Sequence, residues 1–538
     1  MLQFLDFYRN PYPIGRNSIF AKNGMVATSQ PLAADAGLTI LKQGGNAVDA
    51  AIATAACLTV VEPTSNGIGG DAFAIVWFKD KLYGLNASGP APKNLSAEMV
   101  REAGYSEMPA HGWFPVTVPG APAAWVELSR KFGRLPFSEL LKPAIQYAQE
   151  GFPLSPTLAK FWKKAFNTYK KVLSDDMFEA WFETFAPNGR APEVGEMWIS
   201  KAHANTLKMI AETEGKAFYQ GELAEKIIRF SKQTGGFFEL DDFASFKPKW
   251  VEPLKVKYRD YDVWELPPNG QGLVALQALN ILRGFEFSAK DKVDTYHKQI
   301  EAIKLAFADG MTYITDEAHM EVTVEALLSE AYAEQRRQLI SHTALTPKAG
   351  EPQSSGTVYL ATADRDGNMV SFIQSNYMGF GSGLVVPGTG IALQNRGHTF
   401  SLDENHANVL KGGKQTYHTI IPGFLTKGKK AVGPFGVMGA YMMPQGHVQI
   451  LMNTIDFGLN PQAALDAPRW RWIKDKVVAV EPRFPHHLVD ALIEKGHEIK
   501  MEVEPNSFGR GQIIWRHPET GVLVGGTESR TDGTIAAW

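Results

Sequence analysis

The chain has a single cysteine, Cys57, so no internal disulfide can form and a disulfide-framework scaffold is excluded. Cys57 sits in an alanine-rich helical stretch, where a buried small apolar residue is the natural reading. Long apolar runs are missing too. The most apolar stretch, residues 47–61, is shorter than the roughly 20 residues of a spanning helix and contains Asp49. The first residues, MLQFLDFYRNPYPIGRN, have an early acid, two prolines and no continuous apolar core, unlike a secretory leader. The expectation is therefore a cytoplasmic protein with no membrane association. Neither sign of charge dominates: 54 Lys and Arg against 57 Asp and Glu give a net charge of -3, and no basic run is long enough to attract nucleic acid. Small molecules are the expected partners.

Several catalytic signatures are also absent. There is no Gly-X-Ser-X-Gly nucleophile elbow and no His-Glu-X-X-His zinc motif. His486 and His487 stand between Pro485 and Leu488 with no evident ligand cluster. The glycine cluster at 67–70 lacks the Gly-Lys-Ser/Thr and the spacing of phosphate and dinucleotide loops, so it reads as a tight loop where backbones approach closely. No cofactor and no metal are expected.

What is present is an ordinary globular composition, 44% hydrophobic and 21% charged, with 50 Gly and 32 Pro that imply short elements joined by tight turns. The fold class expected is mixed α/β. At 538 residues the chain exceeds one ordinary core, so two intertwined or adjacent units are expected. MVATS reads as a strand, residues 31–42 as a helix closed by Gly44 and Gly45, and Asn46 as the cap of a second helix that Pro63 ends. AFAIVWF and KLYGLNA read as neighbouring strands, and residues 121–232 as mostly amphipathic helices. A further helix is expected over 295–309. Residues 346–356, TPKAGEPQSSG, read as an exposed connector. After it, TVYLATAD and MVSFIQS flank the turn Asp364-Arg365-Asp366-Gly367-Asn368, which predicts a β-hairpin beginning at Thr357. TIIPGFL reads as a later strand, with helices over 447–457, 461–466 and 488–496.

A connector that enters a rigid strand at Gly356-Thr357 suits one particular chemistry. A threonine hydroxyl is a weak nucleophile, but as the first residue of its own chain it has a free α-amine, of reference pKa about 7.7 to 8.0, to take its proton. Taken alone, Gly-Thr before a strand reads as an ordinary strand start. The segment GTVYLATADRDGNMVSFIQSNYMGFGSG, however, resembles the small-subunit start of the γ-glutamyltranspeptidases, whose nucleophilic threonine precedes an Asp-X-Asp-Gly-Asn turn by seven residues, as Thr357 precedes Asp364. MVATSQPLAADAGLTILKQGGNAVDAAIAT, GIGGDAF, VPGAPAAW and NTIDFGLNPQAALDAPR follow in the family's order, so the resemblance runs from about Met25 to the C-terminus.

The resemblance implies a four-layer αββα sandwich of the N-terminal-nucleophile hydrolases, made as a precursor that cuts itself into a large subunit, residues 1–356, and a small subunit, residues 357–538. The two pieces would pair with each other, and the pair is open to further homo-oligomerisation. It implies Thr357 as nucleophile, Ser375 as the hydroxyl that bonds it, and Gly439 and Ala440 as the backbone oxyanion site. His418 and Thr419 fall where transpeptidases have a substrate-binding serine pair, and Arg396 where they have an amine-binding Gln or Glu. Bland readings stand beside these: Ser375 as a plain strand serine, His418 as a structural hydrogen-bonder, Arg396 as a surface arginine.

The chain also departs from the transpeptidases. No arginine lies near residues 86–88, where the family grips the glutamyl α-carboxylate, and His398-Thr399 replace the acidic pair that receives the α-amine. Without both charged anchors, tight γ-glutamyl recognition is not expected. The combination resembles the cephalosporin-acylase-like or oxamate-amidohydrolase-like branch, which implies amide hydrolysis through an acyl-enzyme, with Arg396 on a carboxylate or carbonyl of the acyl group. A true γ-glutamyl transpeptidase or glutathione hydrolase, and an inactive scaffold of the same fold, remain the alternatives.

Overall fold

Alternation along three neighbouring strands sets the layering. In Val358–Asp364, Tyr359, Ala361 and Ala363 join one apolar cluster while Val358 and Leu360 join another. Met369–Ser375 divides in the same way, with Met369 and Ile373 on one side and Val370 and Phe372 on the other. So does Asp71–Phe78, with Phe73, Ile75 and Trp77 opposed to Ala72, Ala74 and Val76. Strand side chains point alternately to opposite faces, so a strand apolar on both faces must be covered on both.

The protein is described by a computed structural model over residues 15–347 and 357–538. The first fourteen residues of the stretch weighed as a leader, and residues 348–356 of the connector, lie outside the described residues. One seven-stranded sheet runs in the order Thr534–Ala537, Gly24–Thr28, Val358–Asp364, Met369–Ser375, Asp71–Phe78, Lys81–Ala87, Lys249–Val251. The second runs Ile19–Ala21, Leu523–Thr527, Arg510–Arg516, Lys430–Met438, Gly423–Lys427, Tyr261–Glu265, Leu254–Tyr258. Neighbours in both are antiparallel. A cluster holding Tyr359, Phe73, Ile514 and Phe424 fills the space between the sheets. Outside the first sheet pack helices that include Pro31–Lys42, Ala47–Val61 and Phe137–Glu150. Outside the second pack Gly272–Leu282, Val293–Tyr313 and Met442–Ile455. This is the four-layer αββα sandwich. Among the described residues no helix is long and apolar enough to cross a membrane.

Local chemistry accounts for the element ends. Asn46 caps its helix by accepting from the Val48 and Asp49 N–H groups, while the Asp49 side chain accepts from the Asn46 N–H, a reciprocal capping box. The 357 hairpin turns where Gly367 takes φ +87°, and Asp364 ties the turn down by accepting from the Asn368 N–H at 2.9 Å and from the Ala47 N–H at 2.9 Å. The glycine cluster is a close-approach loop, as its composition suggested. A Cβ on Gly69 would lie 2.3 Å from the Ala392 carbonyl oxygen, and one on Gly70 2.6 Å from that of Ser375. Cys57 is fully buried, and burial pushes its thiol well above the usual range.

Three expectations shift. TIIPGFL is strand only from Gly423 onward, in Gly423–Lys427, because Pro422 has no N–H for a ladder and the chain before it runs beside residues 269–271 through a Gly270–His418 bridge. The helix expected over 447–457 starts five residues earlier, as Met442–Ile455, because Pro444 falls in the first turn, where a missing N–H costs nothing. The helix expected over 488–496 spans His486–Glu494, so His486 and His487 are its first turn.

Two buried histidines make stability depend on pH. Burial lowers His203 from 6.5 to about 4; burial, then the charges of Lys304, His297, Lys495 and Lys476, lower His497 to about 3. Each stays neutral in the folded chain at a pH where the unfolded chain binds a proton, so stability is full above about 6.5 and falls as pH drops toward 4. Thermal melting across pH 4 to 7 should show this loss, and His497→Gln should shallow it.

Candidate active site

Sheet register brings three side chains to one end of the first sheet. Thr357 immediately precedes its strand, Val358 pairs with Gln374, and Ser375 pairs with Asp71 on the next strand. All three are fully buried. The Thr357 Oγ1 lies 3.1 Å from the Ser375 Oγ, and that oxygen accepts the Tyr377 N–H at 2.8 Å. The backbone donor holds the serine oxygen in place beside the threonine, and either hydroxyl can donate to the other.

Glycines in the facing sheet show how the two sheets lie against each other. A Cβ on Gly433 would meet Met369, and one on Gly436 would meet the Tyr359 ring at 2.5 Å. Progress along Lys430–Met438 thus runs back along Val358–Asp364, since Met369 pairs with Ala363. Gly439 and Ala440 follow directly after that strand. Here the backbone turns through φ +137° at Gly439 and +51° at Ala440 before the helix Met442–Ile455 begins. A left-handed alanine costs roughly 1–2 kcal/mol, which the surrounding contacts must offset. The Ala440 carbonyl is held by the Gln271 Nε2 at 2.8 Å.

A buried charge network stands beside this turn. Arg396, in the turn Arg396–Thr399, is fully buried, so it is not the surface arginine of the bland reading. Its Nη1 donates to the Thr419 Oγ1 at 2.8 Å, and its guanidinium lies 4.3 Å from the centroid of the Tyr377 ring. Among the described residues its Nε and Nη2 have no hydrogen-bond partner. Burial lowers Arg396 to about 10, against the upward pull of Asp71; burial raises Asp71 to about 7, against the downward pull of Arg396. His418 contacts this pair. Burial, then the charge of Arg396, holds its ring well below the usual range, so it is neutral. Its Nδ1 accepts from the Ile420 N–H at 3.3 Å, which leaves the hydrogen on Nε2 to be donated to the Asp71 Oδ2 at 2.9 Å. The other Asp71 oxygen accepts from the Gln394 Nε2 at 2.8 Å. The structural reading of His418 is therefore the one its contacts support.

Positions where the transpeptidases have an arginine and an acidic pair hold neither here. Asn86 donates to the Asn269 Oδ1 at 2.9 Å, and Ser88 donates to the Asn86 Oδ1 at 2.8 Å. His398 faces the Met108 carbonyl at 2.6 Å, and Thr399 donates to the Tyr417 carbonyl at 2.8 Å. Asp71, Gln271 and Tyr377 escaped the sequence reading. Asp71 had a signal, an acid closing a glycine loop at a strand start, but it was absorbed into the loop; Gln271 and Tyr377 had none.

Elsewhere, His297, Glu301 and His497 form a buried trio with ligand atoms close enough for a cation. The Lys304 ammonium lies 2.7 Å from the Glu301 carboxylate, and the lysine charges that depress His497 oppose a divalent ion there. The trio instead holds the chain before the connector: His297 meets the Ser341 carbonyl at 2.8 Å and Glu301 accepts the Leu345 N–H at 2.9 Å.

The family sequence model described as gamma-glutamyltranspeptidase matches residues 33–538. A glutathione hydrolase-like proenzyme of Bacillus subtilis (strain 168) is 37% identical over 96% of this chain and 98% of its own length. An oxamate amidohydrolase proenzyme of Klebsiella pneumoniae is 34% identical over 97% of this chain and 100% of its own. The crystal structure of a cephalosporin acylase from Bacillus halodurans superposes with a TM-score of 0.96 at 64% identity, covering 99% of each chain. With the fold and these matches in agreement, the chain belongs to the γ-glutamyltranspeptidase family and is an N-terminal-nucleophile hydrolase.

Proposed function

We propose that this protein cuts its own chain before Thr357 and then hydrolyses a small amide whose acyl group carries a carboxylate. The observation that carries the proposal is the Thr357–Ser375 hydroxyl pair at 3.1 Å, held at a strand start by the hairpin register. After the cut, the α-amine of Thr357 takes the proton of its own hydroxyl as the oxygen attacks the amide carbonyl. The developing oxyanion is met by the backbone N–H groups of Gly439 and Ala440. Collapse expels the amine, which takes the proton, and leaves an acyl ester on Thr357. Water then attacks that ester by the same route and frees the acid.

Arg396 selects the acyl group in this reading. Its Nε and Nη2 edge is unpaired, and that edge presents two parallel donors of the spacing a carboxylate accepts. Tyr377 stacks on the guanidinium face and Thr419 fixes Nη1, so the edge is held before substrate arrives. His398 and Thr399 offer an ammonium no carboxylate, and Asn86 and Ser88 offer an α-carboxylate no arginine, which favours dicarboxylic monoamides over γ-glutamyl compounds. Oxamyl and glutaryl amides are the compounds to screen first, with γ-glutamyl and β-lactam side-chain amides beside them.

Purified protein should run as two pieces on a denaturing gel, with Thr357 at the new N-terminus. Thr357→Ala should remain one band near 59.2 kDa and lose at least about 10⁴-fold in turnover; a variant that still matures would end the proposal. Arg396→Lys keeps the charge but loses the fork, so it should raise KM about tenfold or more for the carboxylate-bearing amide and leave an uncharged analogue unchanged. Ala440→Gly relieves the left-handed alanine and keeps both N–H donors, so melting should move up by about a degree or stay level with turnover retained.

A further inference from the structure

Gln271 is fully buried at the start of the helix Gly272–Leu282, yet its side chain makes no capping bond to that helix. Its amide is used elsewhere. Nε2 donates to the Thr419 carbonyl at 2.6 Å and to the Ala440 carbonyl at 2.8 Å, while Oε1 accepts from the Tyr417 hydroxyl at 3.0 Å. The Gln271 backbone N–H donates to the His418 carbonyl at 2.9 Å, and His418 returns its N–H to the Asn269 carbonyl at 2.8 Å. Both amide hydrogens and the amide oxygen are committed, so this one residue ties two separate segments, 417–419 and the turn at Ala440, to the start of its own helix.

Those segments are the ones the proposed chemistry needs to keep in register. Ala440 is the strained half of the oxyanion turn. Thr419 fixes the Nη1 of Arg396, which grips the acyl carboxylate in the reading above. A single planar amide therefore sets the separation between the place where negative charge develops and the place where the acyl tail is anchored. Tyr417 steadies that amide from behind and stacks against Tyr441, the next residue after Ala440, at 6.0 Å between ring centroids.

We infer that Gln271 is a positioning residue for the reaction: it holds the Ala440 peptide in the left-handed turn that aims the oxyanion donors, and couples that turn to the substrate wall at Thr419. This inference rests on the reading of Gly439 and Ala440 as the oxyanion site. Gln271 touches no reacting atom. Its effect should therefore fall on turnover and on binding of a tetrahedral adduct, with ground-state binding of substrate little changed.

The test uses the processed enzyme, a screened amide substrate and phenylboronic acid as probe. Boron accepts the Thr357 oxygen, the hydroxyl proton passes to the α-amine, and the tetrahedral boronate carries its negative charge where the oxyanion would sit. Gln271→Ala and Gln271→Glu should lower kcat by about 10- to 100-fold and weaken the boronate by a similar factor, with KM within about threefold. Self-cleavage attacks a carbonyl in the same place, so slowed maturation with an unchanged melting temperature supports the inference as well. Tyr417→Phe removes only the hydroxyl behind the amide and should lower kcat about three- to tenfold; this variant carries the test if the Gln271 variants do not fold. Variants that melt earlier but keep kcat and boronate affinity overturn the inference and leave the oxyanion reading intact. A wild-type enzyme with no tetrahedral boron signal by ¹¹B NMR removes that reading, and this inference with it.

Discussion

The register of one hairpin governs the rest of the site. Thr357 and Ser375 stand 18 residues apart in sequence, and they meet because the turn around Gly367 closes the two strands so that Val358 opposes Gln374. A slip of one residue would turn every side chain of a strand to the opposite face and separate the hydroxyls. Asp364 guards against that slip. It fastens the turn to itself through Asn368 and to the outer helix through the Ala47 N–H, so the register is anchored in two layers at once. The acid-X-acid-Gly-Asn turn thus acts on the chemistry from the far end of the hairpin.

Charge is handled by burial in pairs. Asp71 and Arg396 oppose each other in a fully buried setting, and a neutral His418 supplies the hydrogen bond that completes Asp71. Removing one member of such a pair leaves an uncompensated charge, which costs several times more than a surface ion pair contributes. The guanidinium keeps two donors without a protein partner among the described residues, and a ligand able to accept both would satisfy them.

How far the sequence could be read follows from the range of the forces involved. Residues 31–42 and the Asn46-capped helix were legible because caps and periodicity act within one turn. The hairpin was legible because its turn chemistry is local. Thr357, Ser375, Gly439 and Ala440 were reached through resemblance, since no local pattern places a strand start across from a turn more than eighty residues away. The start at Met442 was missed because a proline inside an apolar run looks like a breaker until its place in the first turn is known. The charge coupling of Arg396 with Asp71, and the bridging by Gln271, act across 325 and 169 residues of chain, which no propensity records.

The order of strands has a mechanical consequence for a chain severed ahead of Thr357. Gly24–Thr28 lies between Thr534–Ala537 and Val358–Asp364, so a strand from before the cut is zipped on both sides to strands from after it. Met369–Ser375 zips to Asp71–Phe78, Ile19–Ala21 to Leu523–Thr527, and Gly423–Lys427 to Tyr261–Glu265. The fragments are dovetailed through both sheets and could part only by unravelling them. A cut at that bond would liberate an amine while leaving the architecture locked, so it would act on reactivity alone.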